Sequence, residues 1–376
     1  MALSSKNRLI VGSSEHCPDL LYATRFFVPD DIIWFTKKGK SYGVFSPLEI
    51  DRARKEADID HFIPLSEVEA TLKKQLDRLP TQAEILIFVL KQHGIKQVEV
   101  PSSFPLGLAD VLRKAKITVT PCEGEFFPKR QIKRPDEIKW IAHAQKLAEA
   151  GLLRGLEVVR AAKITGNQTL RWGNAPLTSE LLRGEIDAAI MKLGGLPAQT
   201  IVACGKQSCD PHERGHGILR AGQTIILDIF PRHQATGYFG DLTRTVVKGR
   251  ASEKIRHLYA TVEAGQQLGL KTMKPGVDGK VLHEKILSFF EEQGYKTEQQ
   301  KGRWVGFFHG TGHSLGLEIH EPPRFGKTIF KAGHVMTVEP GLYYPDIGGV
   351  RLEDLVVLKA AGIRNLTSVP RKLEIT

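Results

Sequence analysis

Short apolar runs alternate with charged stretches along the first third of the chain. Residues 32–35, 85–90 and 98–100 read as strands, and residues 48–57 and 66–79 as helices. Alternation of this kind predicts a small α/β domain. Pro128 and Pro135 then bracket the basic stretch Lys129-Arg130-Gln131-Ile132-Lys133-Arg134. Proline disfavours both helix and central strand, so this stretch is expected to be a linker between domains 1–127 and 128–376. Pro135-Asp136-Glu137 opens a helix well, with proline and acids in its first turn. Ile138, Ile141, Ala148 and Leu152 give that helix one apolar face. Leu258 and Val262 mark a second helix; Leu282, Ile286 and Phe289 mark a third, with Gly294 as its stop. Strands are expected at 225–230, 238–247, 335–338 and 350–358, which makes the larger domain α+β.

Composition narrows the class. A chain of 376 residues with 41% hydrophobic content can bury a sizeable core. The longest apolar run, residues 85–90, is far shorter than the roughly 18 residues that suggest a membrane span. The first residues lack the apolar core of a secretory signal. Cysteines 17, 122, 204 and 209 form no CxxC pair and no disulfide framework, which fits a reducing cytoplasm. Residues 1–125 hold 17 Lys/Arg against 17 Asp/Glu, so the whole net charge of +11 lies in the larger domain. A nucleic-acid surface would explain that excess, but the basic residues are scattered and no aromatic-basic repeat accompanies them. A solvated basic exterior around an acidic centre is the preferred reading.

The acidic centre is where the chemistry concentrates. Asp228 follows the apolar run Thr224-Ile225-Ile226-Leu227, where an acid carries a desolvation penalty unless it is paired or bound to metal. Asp241 could be a turn acid, a partner of Arg244, or a ligand. In His309-Gly310-Thr311-Gly312-His313 the glycines argue against a helical zinc motif, and no Lys-Ser or Lys-Thr follows to make a phosphate loop. They let the backbone come close to something, such as a metal or substrate. His320 is a third histidine on the same segment. Glu339 stands at the end of a strand stopped by Pro340-Gly341. Alternation puts Arg351 and Glu353 on one face, roughly 7 Å apart, with Asp354 facing away in a structural role. Four carboxylates and one imidazole suit a pair of hard-to-borderline divalent cations.

Taken in order, Asp228, Asp241, His313, Glu339 and Glu353 resemble the ligand set of the pita-bread metallopeptidases. That group comprises Xaa-Pro dipeptidase, aminopeptidase P, methionine aminopeptidase and the metal-free creatinase. The likeness covers residues 126–376, and the leading domain resembles the creatinase-type N-terminal domain more loosely. It implies that Asp228 binds one metal, that His313 and Glu339 mainly bind the other, and that Asp241 and Glu353 bridge them. By the same resemblance His212 lies at the substrate-facing edge and His320 near the scissile bond, while Tyr238, His309 and Arg351 contact substrate and Thr243 flanks Asp241. Two features depart from the family pattern. The Asp228–Asp241 spacing is two residues longer, and Phe230-Pro231-Arg232-His233 replaces a small residue. Two added residues keep both side chains on one face, because the strand period is two. His216 is expected on a surface loop.

The implied activity is a two-metal exopeptidase cleaving after the N-terminal residue of Xaa-Pro peptides, with Mn²⁺ first among Mn²⁺, Co²⁺, Zn²⁺ and Fe²⁺. Glu339 would move the proton to the leaving nitrogen; His212 and His320 would stabilise the oxyanion. Arg351 and the leading domain favour the proline-directed members over methionine aminopeptidases. The rival reading is a non-catalytic shell that binds a protein or nucleic acid, which retention of all five ligands opposes. The resemblance also implies a homodimer.

Overall fold

The computed structural model describes residues 6–376 and divides into two units, Met1–Pro128 and Lys129–Thr376. In the first unit, strands Leu9–Gly12, Ile32–Lys37 and Lys40–Phe45 pair antiparallel, and His61–Pro64 adds in parallel at one edge. Gln97–Val100 and Thr118–Pro121 form a separate parallel pair. The helix Gln82–Gln92 corrects one expectation, because it contains the run 85–90 read above as a strand. Thr81 Oγ1 accepts from the Glu84 N–H, and the Glu84 carboxylate accepts from the Thr81 N–H, so a capping box starts the helix. A short apolar run does not distinguish buried strand from buried helix; the Thr-x-x-Glu in front of it does.

The second unit is built from two helix pairs and two main sheets. Helices Pro135–Ala161 and Ser179–Lys192 pack on antiparallel strands Ile201–Cys204, Ile225–Ile229 and Leu242–Lys248. Helices Glu253–Thr272 and Gly279–Glu292 pack on a five-stranded sheet. Its order is Glu321–Arg324, His313–Ser314, Val335–Val338, Asp354–Leu358, Ile363–Asn365. The long helix buries Ile138, Ile141, Ala148 and Leu152 as its apolar periodicity requires. In the last helix Phe290 is fully buried while Phe289 is only half-buried, one position away from the expected face.

The expected strand 350–358 is two strands. Gly348–Arg351 belongs to a hairpin with Gly341–Tyr344, and Asp354–Leu358 to the five-stranded sheet. The chain changes sheet at Leu352–Glu353, and the buried Arg244 guanidinium pins the crossing. It donates to the Glu353 carbonyl at 2.6 Å, the Asp354 carboxylate at 2.8 Å and the Val369 carbonyl at 3.0 Å. Arg244 is therefore engaged with Asp354 and leaves Asp241 without it. This crossing brings the carboxylates of one sheet against those of the other.

Candidate metal centre

Asp228 sits in the fully buried strand Ile225–Ile229, directly across from Thr243. Asp241 precedes the neighbouring strand by one residue, and its N–H donates to Gln145 Oε1 at 2.8 Å. The longer hairpin between them keeps one register: Asp228 pairs with Thr243, Ile229 with Leu242 and Arg232 with Phe239. Gly237, at φ 77°, lets the tip turn. The two extra residues are thus absorbed at the tip, and both aspartates face the same side.

The second sheet brings the other three. The His313 N–H donates to Thr337 Oγ1 at 2.9 Å, and that hydroxyl donates to Glu339 Oε1 at 3.0 Å. His313 Nε2 lies 3.2 Å from Glu339 Oε1 and 3.4 Å from Asp241 Oδ2. The Glu353 N–H donates to the Thr243 carbonyl at 3.1 Å, and its Oε2 accepts from Thr243 Oγ1 at 2.7 Å. One ligand atom each from Asp241, His313 and Glu353 falls within 4.8 Å of the others.

Gly312 has a specific reason. A Cβ there would lie 2.2 Å from the Thr337 carbonyl oxygen, so what comes close to the glycine loop is the strand beside it, and neither metal nor substrate is needed to account for it. Gly310 meets nothing closer than 3.8 Å. Gly312→Ala is expected to cost about 1–3 kcal/mol, and Gly310→Ala to leave stability near wild type, as measured by denaturant unfolding.

Arg351 spans the centre and the wall. Its Nη2 donates to Asp228 Oδ2 at 2.6 Å, its Nη1 to the Tyr343 hydroxyl at 3.0 Å and its Nε to Thr243 Oγ1 at 3.4 Å. The Tyr343 hydroxyl lies 2.8 Å from His309 Nε2, and His309 Nδ1 lies 2.8 Å from the Gly310 carbonyl. Burial, and then the Arg351 charge, hold His309 neutral by pushing its pKa to about 3. With Nδ1–H donating to Gly310, Nε2 accepts from Tyr343, so the hydrogen bonds run unbroken from Asp228 Oδ2 through Arg351 and Tyr343 to His309.

The residues present fit divalent cations. Asp228 Oδ1 and Glu353 Oε1 are buried with no hydrogen-bond partner. His313 Nδ1 lies 3.3 Å from the Ser314 carbonyl, which leaves the Nε2 lone pair facing two carboxylate oxygens. Acceptors converging on acceptors need a cation or protons between them. Burial and the neighbouring acids Asp228 and Glu339 raise Asp241 well above the usual carboxylate range; burial and Asp241 do the same to Glu353. Burial, with Asp228 adding to it, lifts Glu339 to about 7. These three acids bind protons more tightly folded than unfolded, so their contribution is present below the unfolded value and lost as pH rises through the folded one. Buried histidines act in the opposite sense, His309 and His313 being pushed down to about 3, so the acids' share is read by comparison: the midpoint of metal-stripped Glu339→Gln should rise relative to wild type from about pH 5 to about pH 8. Added Mn²⁺ should raise the midpoint more at the upper end. A stripped Glu339→Gln midpoint that fell relative to wild type over this interval would contradict the assignment.

A cavity of about 490 Å³ opens over this floor. It is lined by all five expected ligands and by His212, His309, His320 and Arg351. Tyr238 is placed elsewhere, which corrects its expected substrate contact. It is buried, its hydroxyl donates to Glu137 Oε1 at 2.7 Å, and its ring packs on Trp140. His216 is an exposed loop residue, with its N–H donating to Gln207 Oε1. Arg324 and Phe308 in the cavity wall and Tyr343 behind His309 are not among the residues expected from the sequence. Only Tyr343 carried a signal: in Gly341-Leu342-Tyr343 it stands two residues beyond a ligand strand's Pro-Gly stop.

A model of metallopeptidase family M24 matches residues 139–360. The Xaa-Pro dipeptidase of Pyrococcus horikoshii is 30% identical over 321 residues, covering 82% of this chain and 84% of that protein. The solved prolidase from Pyrococcus horikoshii OT3 superposes with a TM-score of 0.79 at 26% identity, covering 98% of this chain and 96% of the other. The X-Pro aminopeptidase from Thermotoga maritima MSB8 gives a TM-score of 0.83 at 23% identity, with coverage of 100% and 98%, and speaks to the fold alone. The fold is the α+β pita-bread fold. Among the described residues no helix is long and apolar enough to cross a membrane.

Proposed function

Because the chain belongs to metallopeptidase family M24, we propose that it is a two-metal exopeptidase that hydrolyses the bond after the N-terminal residue of Xaa-Pro peptides. The observation that carries this is the cavity floor, where Asp228 Oδ1 and Glu353 Oε1 are buried without hydrogen-bond partners and His313 Nε2 faces oxygens of Asp241 and Glu339. Asp228, Asp241, His313, Glu339 and Glu353 would hold the ions, Mn²⁺ first among the candidates. Two such ions, when bound, lower the pKa of a shared water and polarise the scissile carbonyl.

The protein's own groups supply the rest. Glu339 Oε1 is engaged by Thr337, which leaves Oε2 to take a proton and pass it to the leaving nitrogen. His212 and His320, on the cavity wall, donate to the carbonyl oxygen as its charge develops. Arg324 also lines the wall, and among the cavity's cations Arg351 is already engaged with Asp228. Arg324 is therefore the guanidinium available to hold the C-terminal carboxylate of a short peptide, which favours a dipeptidase.

Arg324→Gln is expected to raise KM for an Xaa-Pro dipeptide by about 10–100-fold, the value of a charge-assisted bond, with little change in kcat. The dipeptide amide should show no such change; an equal rise on the amide would remove Arg324 from carboxylate binding. The reading as a whole is tested on three substrates: an Xaa-Pro dipeptide, an Xaa-Pro-Yaa tripeptide and a Met-Ala-Yaa peptide. Cleavage of the dipeptide alone is the expected result. Cleavage of the proline tripeptide would indicate an aminopeptidase, and cleavage of Met-Ala-Yaa alone would end the proline-directed reading. A homodimer is part of the proposal and is read from sedimentation of the same preparation.

A further inference from the structure

The basic stretch between Pro128 and Pro135 is more than a solvated linker. Lys133 is buried, and its Nζ donates to Glu321 Oε1 at 2.6 Å and to the Arg130 carbonyl at 2.7 Å, with Ser314 Oγ at 3.5 Å. Arg130 Nη2 bonds Glu321 Oε2 at 2.6 Å and Glu318 Oε2 at 2.8 Å. Glu321 itself is only 2% exposed. Its carboxylate is the hub of the loop in front of it. The Glu318 N–H donates to Glu321 Oε2 at 3.2 Å, and the Gly316 N–H to the Glu318 carbonyl at 3.0 Å. Gly316 lies so close that a Cβ there would stand 2.5 Å from Glu321 Oε1. Residues 314–321 are thus wound around one carboxylate whose two oxygens are held by two different cations. His320 is the residue next to that carboxylate, and its ring meets His313 edge-on at 4.4 Å.

We propose that Arg130 and Lys133 are positioning residues, which act through Glu321 to fix His320 over the reaction cavity. The proposal rests on the functional reading above for what His320 does there. Stability alone is a weak reason for such a cluster, because buried ion pairs are often matched by apolar side chains of the same volume. What apolar groups cannot do is fix the rotation of a carboxylate, and two cations on its two oxygens do so. Small displacements of an oxyanion donor are costly to rate, so a fixed hub has value in this loop.

The test is a double-mutant cycle with a structural readout beside it. Arg130→Gln and Lys133→Met are each expected to lower kcat for an Xaa-Pro dipeptide by about 10–100-fold, as loss of a supporting partner does, with KM and bound metal little changed. In a His320→Ala background the same substitutions should have almost no further effect on kcat, because they act through that ring. Amide exchange at Gly316 and Glu318 should quicken in the single variants. Full additivity with His320→Ala would overturn the proposal, as would faster exchange with unchanged kcat. If the wild-type protein cleaves no Xaa-Pro peptide, the functional reading falls, and exchange at 316 and 318 decides the rest. Unaltered exchange in both variants would then show that Arg130 and Lys133 do not hold the loop.

Discussion

Replacing Glu339 by glutamine is expected to cut turnover of an Xaa-Pro dipeptide by about 10²–10⁴-fold, the usual contribution of a positioned proton carrier. The amide keeps the side chain's length and can still accept from Thr337 Oγ1, so the strand Val335–Val338 and the Thr311 contact of its backbone should persist. It cannot take a proton at Oε2. KM should change little when metal is supplied in excess, because the loss falls on the transition state. Thr337→Val is a useful companion. It removes the hydroxyl that links His313 to Glu339, and a smaller fall in kcat is expected because both side chains remain. Turnover of Glu339→Gln within about tenfold of wild type would move the proton-transfer role to another residue, with the cavity histidines next in line.

Arg351→Met is expected to destabilise the metal-stripped protein by about 3–5 kcal/mol, the penalty for breaking a buried charge pair. Asp228 Oδ1 already lacks a partner, and loss of the guanidinium would strip Oδ2 as well, leaving a whole carboxylate in the core unpaired. Tyr343 would lose a donor at the same time. Lysine is a poor substitute, since one ammonium cannot reach Asp228, Tyr343 and Thr243 together as the planar fork does. With Mn²⁺ bound the deficit should shrink, because a cation then faces Asp228. Urea unfolding with and without metal measures both values. An equal deficit in the two conditions would mean that Asp228 does not face the bound ion.

The contrast between these residues shows what could be read in advance. Of the four acids and one imidazole, three are legible as candidates because their contexts resist them: an acid after an apolar run, a histidine among glycines, a glutamate before Pro-Gly. The helices Pro135–Ala161 and Glu253–Thr272 are legible because 3.6-residue periodicity spans several turns. Residues 85–90 were misread because six apolar residues carry no period, although the capping box at Thr81 was present in the sequence. The break at Leu352–Glu353 was hidden because apolar alternation runs through it; what interrupts the strand is a change of sheet held by Arg244.

Tyr238 shows the limit of carrying a role across by position. A flanking tyrosine fits a substrate wall in one dimension, but here its hydroxyl is taken by Glu137, 101 residues earlier in the chain. Arg130 and Lys133 looked like linker charge for the same reason, since Glu321 lies 191 and 188 residues away from them. Pairings at that separation leave no local pattern in a single sequence.

On the proposed reading this floor holds two ions, and the ions make the protein a peptidase. The most direct measurement loads metal-stripped protein with Mn²⁺ and follows, in one titration, bound metal per chain and cleavage of an Xaa-Pro dipeptide. Activity is expected to appear with metal and to reach its plateau as the second ion binds, and Asp241→Ala, which removes a proposed bridging ligand, is expected to abolish the plateau. Two ions bound with no cleavage, or cleavage by the stripped protein, would contradict that reading.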